Sequence, residues 1–331
     1  MERQLVDCLS SDNVDIRFIS TYDDCSNVKK AFIALGAYAK FCRSLKDVDI
    51  VHVHMASRGS YERKSFFLRK AIAEGKRTVI HLHGGEFGVW FDDEMDSGKR
   101  DEVRSLFGKV DVVVVLSEEW QNWLLDRDFR VKKLLVLHNA VPVPKESCSP
   151  CSHQDVLFLG RLDARKSPDV LLRASRKMLN EHPDARLLFG GDGFTDRYVT
   201  LSEELGISRQ CEFLGWVTGS EKENLFKRAG VYCLPSKNEG MPMSVLEAMA
   251  HGIPTIATPV GGVPQIINDG FNGFIMPVDD EDTLSSILCN LADSPHLRSE
   301  IGASGRETIL NYFSIERNIE TLKQLYWELA L

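Results

Sequence analysis

An α/β chain of two Rossmann-like, doubly wound halves facing across a cleft is what the sequence predicts, and three observations carry that expectation. Short β-branched runs alternate with longer amphipathic stretches along the 331 residues, the pattern of parallel sheets rather than of segregated α and β parts. Several runs are almost continuously apolar, as in Val110-Asp-Val-Val-Val-Val-Leu116, which suits strands buried on both faces. Residues 142–154 interrupt the pattern with Pro142, Pro144, Pro150, two cysteines and three serines, the composition of a linker between domains.

In the first half, residues 1–145, strands are expected at Ile16–Ser20, Asp49–His54, Thr78–His83, Val110–Leu116 and Leu134–Leu137. Helical patterns such as Lys29–Leu45 and Tyr61–Glu74 separate them. Arg3–Leu9 reads as a helix leading straight into Ile16. The opening strand and glycine-rich turn of a doubly wound domain are therefore expected to be missing, as from a late start or a truncated form. The second half, residues 155–310, offers strands at Val156–Gly160, Arg186–Gly190, Cys211–Leu214, Val231–Leu234, Pro254–Ala257 and Gly273–Met276. Helices are expected at Asp169–Leu179 and Ser220–Arg228. Residues 311–331 include Ser314–Leu331, a terminal helix expected to cross back to the first half. Ligands of such sheets bind beyond the carboxyl ends of the strands.

Composition narrows the class. Hydrophobic and charged fractions of 43% and 27% are those of a globular chain, and a net charge of -8 argues against nucleic acid as a partner. No run of 18 apolar residues occurs, and no signal peptide is recognisable, so a cytoplasmic protein with reduced cysteines is expected. Cys148-Ser-Pro-Cys151 with His153 is the one spacing like a metal site, but a lone Cys-x-x-Cys is a weak signal.

Four loops of the second half carry chemistry. In Gly160-Arg161-Leu-Asp-Ala-Arg-Lys166-Ser167-Pro168, Ser167 is expected to cap a helix with Pro168 at its first position. Arg161 and Lys166 then flank a strand-to-helix turn, either as a clamp for a diphosphate or as solvated surface charges. Gly190-Gly191-Asp192-Gly193 permits close backbone approach to a ligand, or is a tight turn. Gly215-Trp216-Val217 ends a short strand beside an aromatic, fit for a planar base or for packing. In Asn238-Glu239-Gly240-Met241-Pro242-Met243-Ser244-Val245-Leu-Glu247, Ser244 is expected to cap a helix running to about His251, whose free N–H groups would receive a phosphate. Glu239 would accept bonds from sugar hydroxyls, or is an exposed loop acid, and Glu247 would accept from a ribose diol. Ser244-x-x-Glu247 reads equally as a capping box. In the first half, His81-Leu-His83-Gly84-Gly85-Glu86 lies at a strand end, where an imidazole can orient a hydroxyl or pass a proton; alternation puts His81 and His83 on one side, so one of them reads equally as a buried packing residue. Asn139 is a turn residue or a hydrogen-bonding partner of substrate.

Taken together these loops resemble family 4 of the retaining glycosyltransferases, whose GT-B fold is two facing Rossmann-like domains. The hallmark is the pair Glu239 and Glu247, accompanied in order by Gly160-Arg161-Leu with Lys166, Gly191-Asp192-Gly193, Phe213-Leu-Gly215-Trp216 and Tyr312-Phe-Ser-Ile-Glu-Arg317. The resemblance implies that Arg161 and Lys166 bind the donor diphosphate. It implies that Glu239 and the backbone of Gly240 to Met243, Met241 included, hold the sugar, while Ser244 and Val245 meet the distal phosphate. Glu247 would hold the ribose, the backbone of Gly215, Trp216 and Val217 the base, and Gly191 and Gly193 would line the donor pocket. His83 is similar to the histidine that contacts the donor sugar. Gly84, Gly85, Glu86 and Asn139 would face the acceptor or the cleft, with Ala140 in place of the family's glycine. The implied reaction is a retaining hexosyl transfer from a nucleotide-diphosphate sugar to a glycan or lipid-linked acceptor in cell-surface polysaccharide biosynthesis. No cofactor is expected beyond that co-substrate. No metal is expected either, because no Asp-x-Asp accompanies these loops. A sugar-nucleotide epimerase or a non-catalytic nucleotide-sugar binder are the alternatives. Seven basic residues between Arg58 and Arg77, with Phe66, Phe67, Leu68 and Ile72 among them, read as a contact for anionic membrane or as an ordinary helix packed on a core.

Overall fold

The computed structural model describes residues 14–21, 27–83, 86–146 and 154–331, with backbone alone over 27–34. It divides into two compact units, residues 1–138 with 316–331 and residues 139–315. The supposed helix Arg3–Leu9, the motif Cys148–His153, and Gly84 and Gly85 lie outside the described residues.

The first unit holds a four-stranded parallel sheet in sequence order, β1 (Ile50–Met55), β2 (Arg77–Leu82), β3 (Val112–Val115) and β4 (Leu134–Val136). The four valines of β3 are all buried, as the apolar run required. Helices α1 (Asn27–Ser44), α2 (Gly59–Ala73), α3 (Ser97–Lys109) and α4 (Glu118–Asp126) form the crossovers. Asp96 and Ser117 cap the last two, accepting from the backbone N–H of Lys99 and Trp120. An aromatic cluster of Phe87, Phe91, Phe107, Trp120, Trp123 and Phe129 fills the space between these helices. The expected strand Ile16–Ser20 is not one. Residues 14–20 join no ladder among the described residues; Phe18 is exposed and only Ile19 packs on the core. Alternation shows which faces a strand would have, whereas a strand also needs a neighbouring backbone to accept its bonds.

The second unit holds a six-stranded parallel sheet, β5 (Asp155–Leu159), β6 (Leu187–Gly190), β7 (Cys211–Gly215), β8 (Ala229–Leu234), β9 (Thr255–Ala257) and β10 (Phe274–Ile275). The spatial order is β10-β9-β8-β5-β6-β7. The chain thus winds one way from β5 and the other way from β8. The gap between these neighbours is the topological switch point, where ligands of such sheets sit.

Three local expectations fail here for identifiable reasons. The helix expected over Asp169–Leu179 is two, α5 (Pro168–Ala174) and α6 (Arg176–Glu181). Ser175 at the break donates its hydroxyl to Leu171 O at 2.7 Å, a back-bond that bends helices. Ser167 is left-handed (φ 51°, ψ 49°) and gives α5 no side-chain cap; its hydroxyl donates to Ala164 O instead. The turn is ordered by Asp163, whose carboxylate accepts from the N–H groups of Arg165 and Lys166. Helix α9 (Met243–Ala250) begins after Pro242, so Ser244 lies inside its first turn and no capping box forms. The intervening helices are α7 (Thr195–Glu204) and α8 (Gly219–Arg228), and the unit ends in α10 (Glu281–Asp293) and α11 (Pro295–Tyr312). Helix α12 (Ile315–Ala330) then returns to the first unit.

Cys42, Cys211, Cys233 and Cys289 are free thiols, and burial pushes Cys211 up to about 12. None of the helices among the described residues is long and apolar enough to cross a membrane.

Candidate functional site at the switch point of the second sheet

Two loops leave the carboxyl ends of the strands that flank the switch point, residues 160–167 after β5 and 235–242 after β8. They are joined by an ion pair: Lys166 Nζ lies 2.5 Å from Glu239 Oε1, with side-chain exposures of 13% and 8%. The backbone adds a second tie, Lys237 N–H donating to Arg165 O at 2.8 Å. A cation and a carboxylate, both largely buried, form a charged centre at the switch point, and each depends on the other for charge compensation.

Around this pair the glycine loops close ranks. Leu162 N–H donates to Asp192 O at 2.6 Å, Phe194 N–H to Leu162 O at 2.8 Å, and Gly191 N–H to Gly215 O at 2.7 Å. The loops after β5, β6 and β7 are therefore laced edge to edge. Gly191 is needed for that approach, since a Cβ there would stand 1.9 Å from Gly160 O. Gly193 lies in the same loop and bridges Leu162. Phe189 and Phe213 stack beneath, centroids 4.9 Å apart. Beside them Trp216 is 71% exposed, an unpacked aromatic face available to a planar ring; Val217 is half-buried.

The loop 239–243 is held from two sides. Asn139, buried, donates its amide to Met241 O at 2.8 Å, which makes it a positioning residue for this loop. Gly262 N–H donates to Gly240 O at 2.5 Å, and Gly261 (φ 58°) passes so close that a Cβ would stand 2.2 Å from Glu239 O. Met243 and Ser244 are half-buried and Val245 is buried, so α9 offers the N–H groups of its first turn. Glu247 turns away from those N–H groups. Its Oε2 meets Lys222 Nζ of α8 at 2.5 Å, both about a quarter exposed. Arg161 projects outward, its nearest carboxylate Asp163 at 3.9 Å.

In the first unit the sequence-predicted His83 is not alone. Parallel pairing sets His54 opposite His81, and alternation puts His52, His54 and His81 on one face with His83 just beyond. His54 Nδ1 and His83 Nε2 are 2.7 Å apart. Burial, with His54 and Lys64 nearby, pushes His83 down to about 3, so it stands neutral. Glu86 pairs with Arg58 at the surface. The basic residues of 58–77 are largely engaged: Arg58 also with Glu94, Arg69 with Glu102, Lys70 with Glu74 and Arg77 with Asp111. Phe66 among them is 63% exposed, whereas Phe67 and Leu68 are buried.

Reading the sequence missed Lys222, the loop Gly261-Gly262, and the histidines of β1. The last had a signal, His52-Val-His54 and His81-Leu-His83 in two strands of period two. Lys222 had none, because helical spacing does not say which turn faces a residue 25 positions away.

At its switch point the second sheet thus gathers a paired cation and carboxylate, the first turn of a helix and an exposed aromatic side chain. The comparisons with known proteins agree in class. The profile described as Glycosyl transferases group 1 matches residues 146–308, and that described as Glycosyltransferase Family 4 matches residues 11–144. A phosphatidyl-myo-inositol mannosyltransferase of Mycolicibacterium smegmatis is 33% identical over 270 residues, 80% of this chain and 68% of that protein. A D-inositol 3-phosphate glycosyltransferase of Saccharomonospora viridis is 32% identical over 181 residues, 52% of this chain. The match spans only 42% of that relative's length. Among solved structures, HepE of Anabaena in complex with UDP-glucose superposes with a TM-score of 0.73 at 17% identity, covering 98% of this chain and 88% of that one. That likeness establishes the fold: two parallel-sheet α/β domains of the GT-B class. The chain belongs to glycosyltransferase family 4.

Proposed function

We propose that this protein transfers a hexosyl group from a nucleotide-diphosphate sugar to a glycan or lipid-linked acceptor, with retention at the anomeric carbon and without a metal, in polysaccharide or glycolipid assembly. The observation that carries the reading is the buried Lys166–Glu239 pair at the switch point, beside the start of α9. Arg161, Lys166 and the first-turn N–H groups of α9 supply positive potential for a diphosphate. Glu239, with the backbone of residues 240–243, accepts from the sugar hydroxyls. Glu247 holds the ribose and Trp216 carries the base. In the reaction the bond from the anomeric carbon to the phosphate oxygen breaks, and the acceptor oxygen bonds on the same face. The acceptor's proton passes to the departing phosphate. No covalent nucleophile is required, so the side chains act by positioning and by stabilising charge on the leaving group. HepE, solved with UDP-glucose, and the relative named for a phosphatidyl-inositol substrate support this choice of donor and acceptor classes.

The test is a thermal-shift screen over UDP-, GDP- and ADP-sugars followed by product analysis with lipid-phosphate and glycan acceptors. One donor class is expected to raise the melting temperature and to yield an acceptor-dependent product. Donor conversion without acceptor would identify an epimerase; binding without turnover would identify a non-catalytic binder; no binding of any donor would end the proposal. With the donor known, Glu247→Gln is expected to weaken its binding about 10-fold, and the nucleoside diphosphate alone equally, because the lost contact is to ribose. Calorimetry that finds both affinities unchanged would leave Glu247 with only its Lys222 partner. A lipid acceptor would place the protein on the cytoplasmic face of a membrane. Since the bases of 58–77 are largely paired, contact there falls to Phe66, and co-sedimentation with vesicles is expected to persist in high salt and to fall in Phe66→Ser.

A further inference from the structure

We infer that the first unit carries a binding site for a zinc-type divalent ion, formed by the imidazoles of His52 and His54 on β1 and His81 on β2. The site is independent of the donor loops, which lie in the second unit. One ring nitrogen from each of the three lies within 4.8 Å of the others. The ring centroids lie close together: His52 and His54 are nearly parallel at 4.8 Å, while His81 is tilted by 30° to His54 at 5.0 Å and by 36° to His52 at 5.4 Å. Zinc–nitrogen bonds near 2.0–2.1 Å put tetrahedral ligands about 3.4 Å apart with the ion in the plane of each ring, so closing the set takes a turn of the His52 or His54 ring out of their stack and nitrogen shifts of about an ångström or more.

Two further observations point to an occupant. His52 Nε2 and both ring nitrogens of His81 are buried with no hydrogen-bond partner among the described residues. An unserved polar atom in an apolar interior costs on the order of 1–3 kcal/mol, and a bound ion would serve two of these three, His52 Nε2 and one nitrogen of His81. The outer contacts are those of a ligand set. His52 Nδ1 lies 2.6 Å from the Tyr326 hydroxyl of α12, and His54 Nδ1 lies 2.7 Å from His83 Nε2. Such bonds on the far nitrogen hold a ligating ring in one tautomer and one orientation. Neutral imidazoles without thiolate or carboxylate suit zinc, cobalt, nickel or copper rather than magnesium or calcium. Three histidines leave a fourth position open. An ion there would tie β1 to β2, brace α12 through Tyr326 and set the orientation of His83 through His54.

The experiment uses the untagged full chain, stripped with a chelator and titrated with Co2+ as a spectroscopic probe and Zn2+ by calorimetry. Expected are one equivalent of either ion, visible absorption bands of four- or five-coordinate Co2+ that Zn2+ abolishes, and a Zn2+-dependent rise in melting temperature. His81→Phe is expected to lose the bands and at least 100-fold in affinity, while His296→Ala, an exposed histidine elsewhere, changes neither. Should His81→Phe fail to fold by circular dichroism, Tyr326→Phe serves, with an affinity about 10–100-fold weaker. Absence of stoichiometric binding to the folded wild type would overturn the assignment and leave the nitrogens to buried water. So would bands that survive in a folded His81→Phe, or in Tyr326→Phe at unchanged affinity.

Discussion

Replacing Lys166 by alanine is expected to lower transfer by about 10²-fold or more and to destabilise the second unit in the same stroke. The two effects have different origins. With Lys166 gone, the Glu239 carboxylate stays 92% covered and loses its one ion-pair partner among the described residues. Breaking a buried pair from one side costs about 3–5 kcal/mol, on the order of 10 °C in the melting temperature of a unit this size. Glu239→Gln strands the ammonium group instead and is expected to cost a similar amount. The double variant Lys166→Met with Glu239→Leu separates structure from function. Apolar groups of similar volume recover most of the stability, since neither desolvated charge remains. Turnover is not expected to recover, because the groups proposed to hold the diphosphate and the sugar hydroxyls are both gone. Denaturation midpoints and single-turnover rates on the four proteins check this. A double variant that regained turnover would show the pair to be scaffolding alone.

Gly191→Ala has the second largest expected effect, on stability first and on donor affinity as a consequence. The added methyl would stand 1.9 Å from Gly160 O, and the obstacle is backbone, which cannot rotate aside. The hydrogen bonds Gly191 N–H to Gly215 O and Leu162 N–H to Asp192 O tie three loops at that place. Relief requires the loop after β5 to move off the loop after β6, carrying Arg161 with it. A cost of about 3 kcal/mol or more is expected, at the upper end for a single added carbon. Donor affinity falls with the displaced loops. The same change at Gly36, within α1 and with nothing inside 4 Å, is expected to be neutral or to stabilise by up to about 1 kcal/mol. Urea denaturation monitored by circular dichroism distinguishes the two. Equal midpoints would show that the loops around Gly191 adapt.

Much of the architecture was legible residue by residue. Ten of the expected strands correspond to β1–β10 within a residue or two, most plainly β3, β6, β8 and β9, which are buried at every position and therefore read as nearly continuous apolar runs. Ile16–Ser20 misled because its pattern met the local requirement and lacked the non-local one. The break at Ser175 and the uncapped start at Ser167 were hidden for another reason. Serine hydroxyls choose among nearby carbonyls and N–H groups according to backbone geometry, which composition does not specify.

For the site the division is sharper. The chemical inventory is legible in the residues alone: two glutamates on one loop and helix, two cations after β5, glycines at strand ends, and an aromatic after β7. So is the expectation that parallel strands bring these groups to the carboxyl end of one sheet. Which groups meet depends on how the elements pack. The order β8-β5-β6 sets Glu239 against Lys166, 73 residues earlier, and α8 sets Lys222 against Glu247 in place of a capping bond. The register of β1 on β2 turns two separate His-x-His patterns into one cluster under Tyr326. Spacing along a chain constrains only what lies within a turn or a strand. Partners from different elements are selected by sheet order and register, which the burial of all the strands together decides.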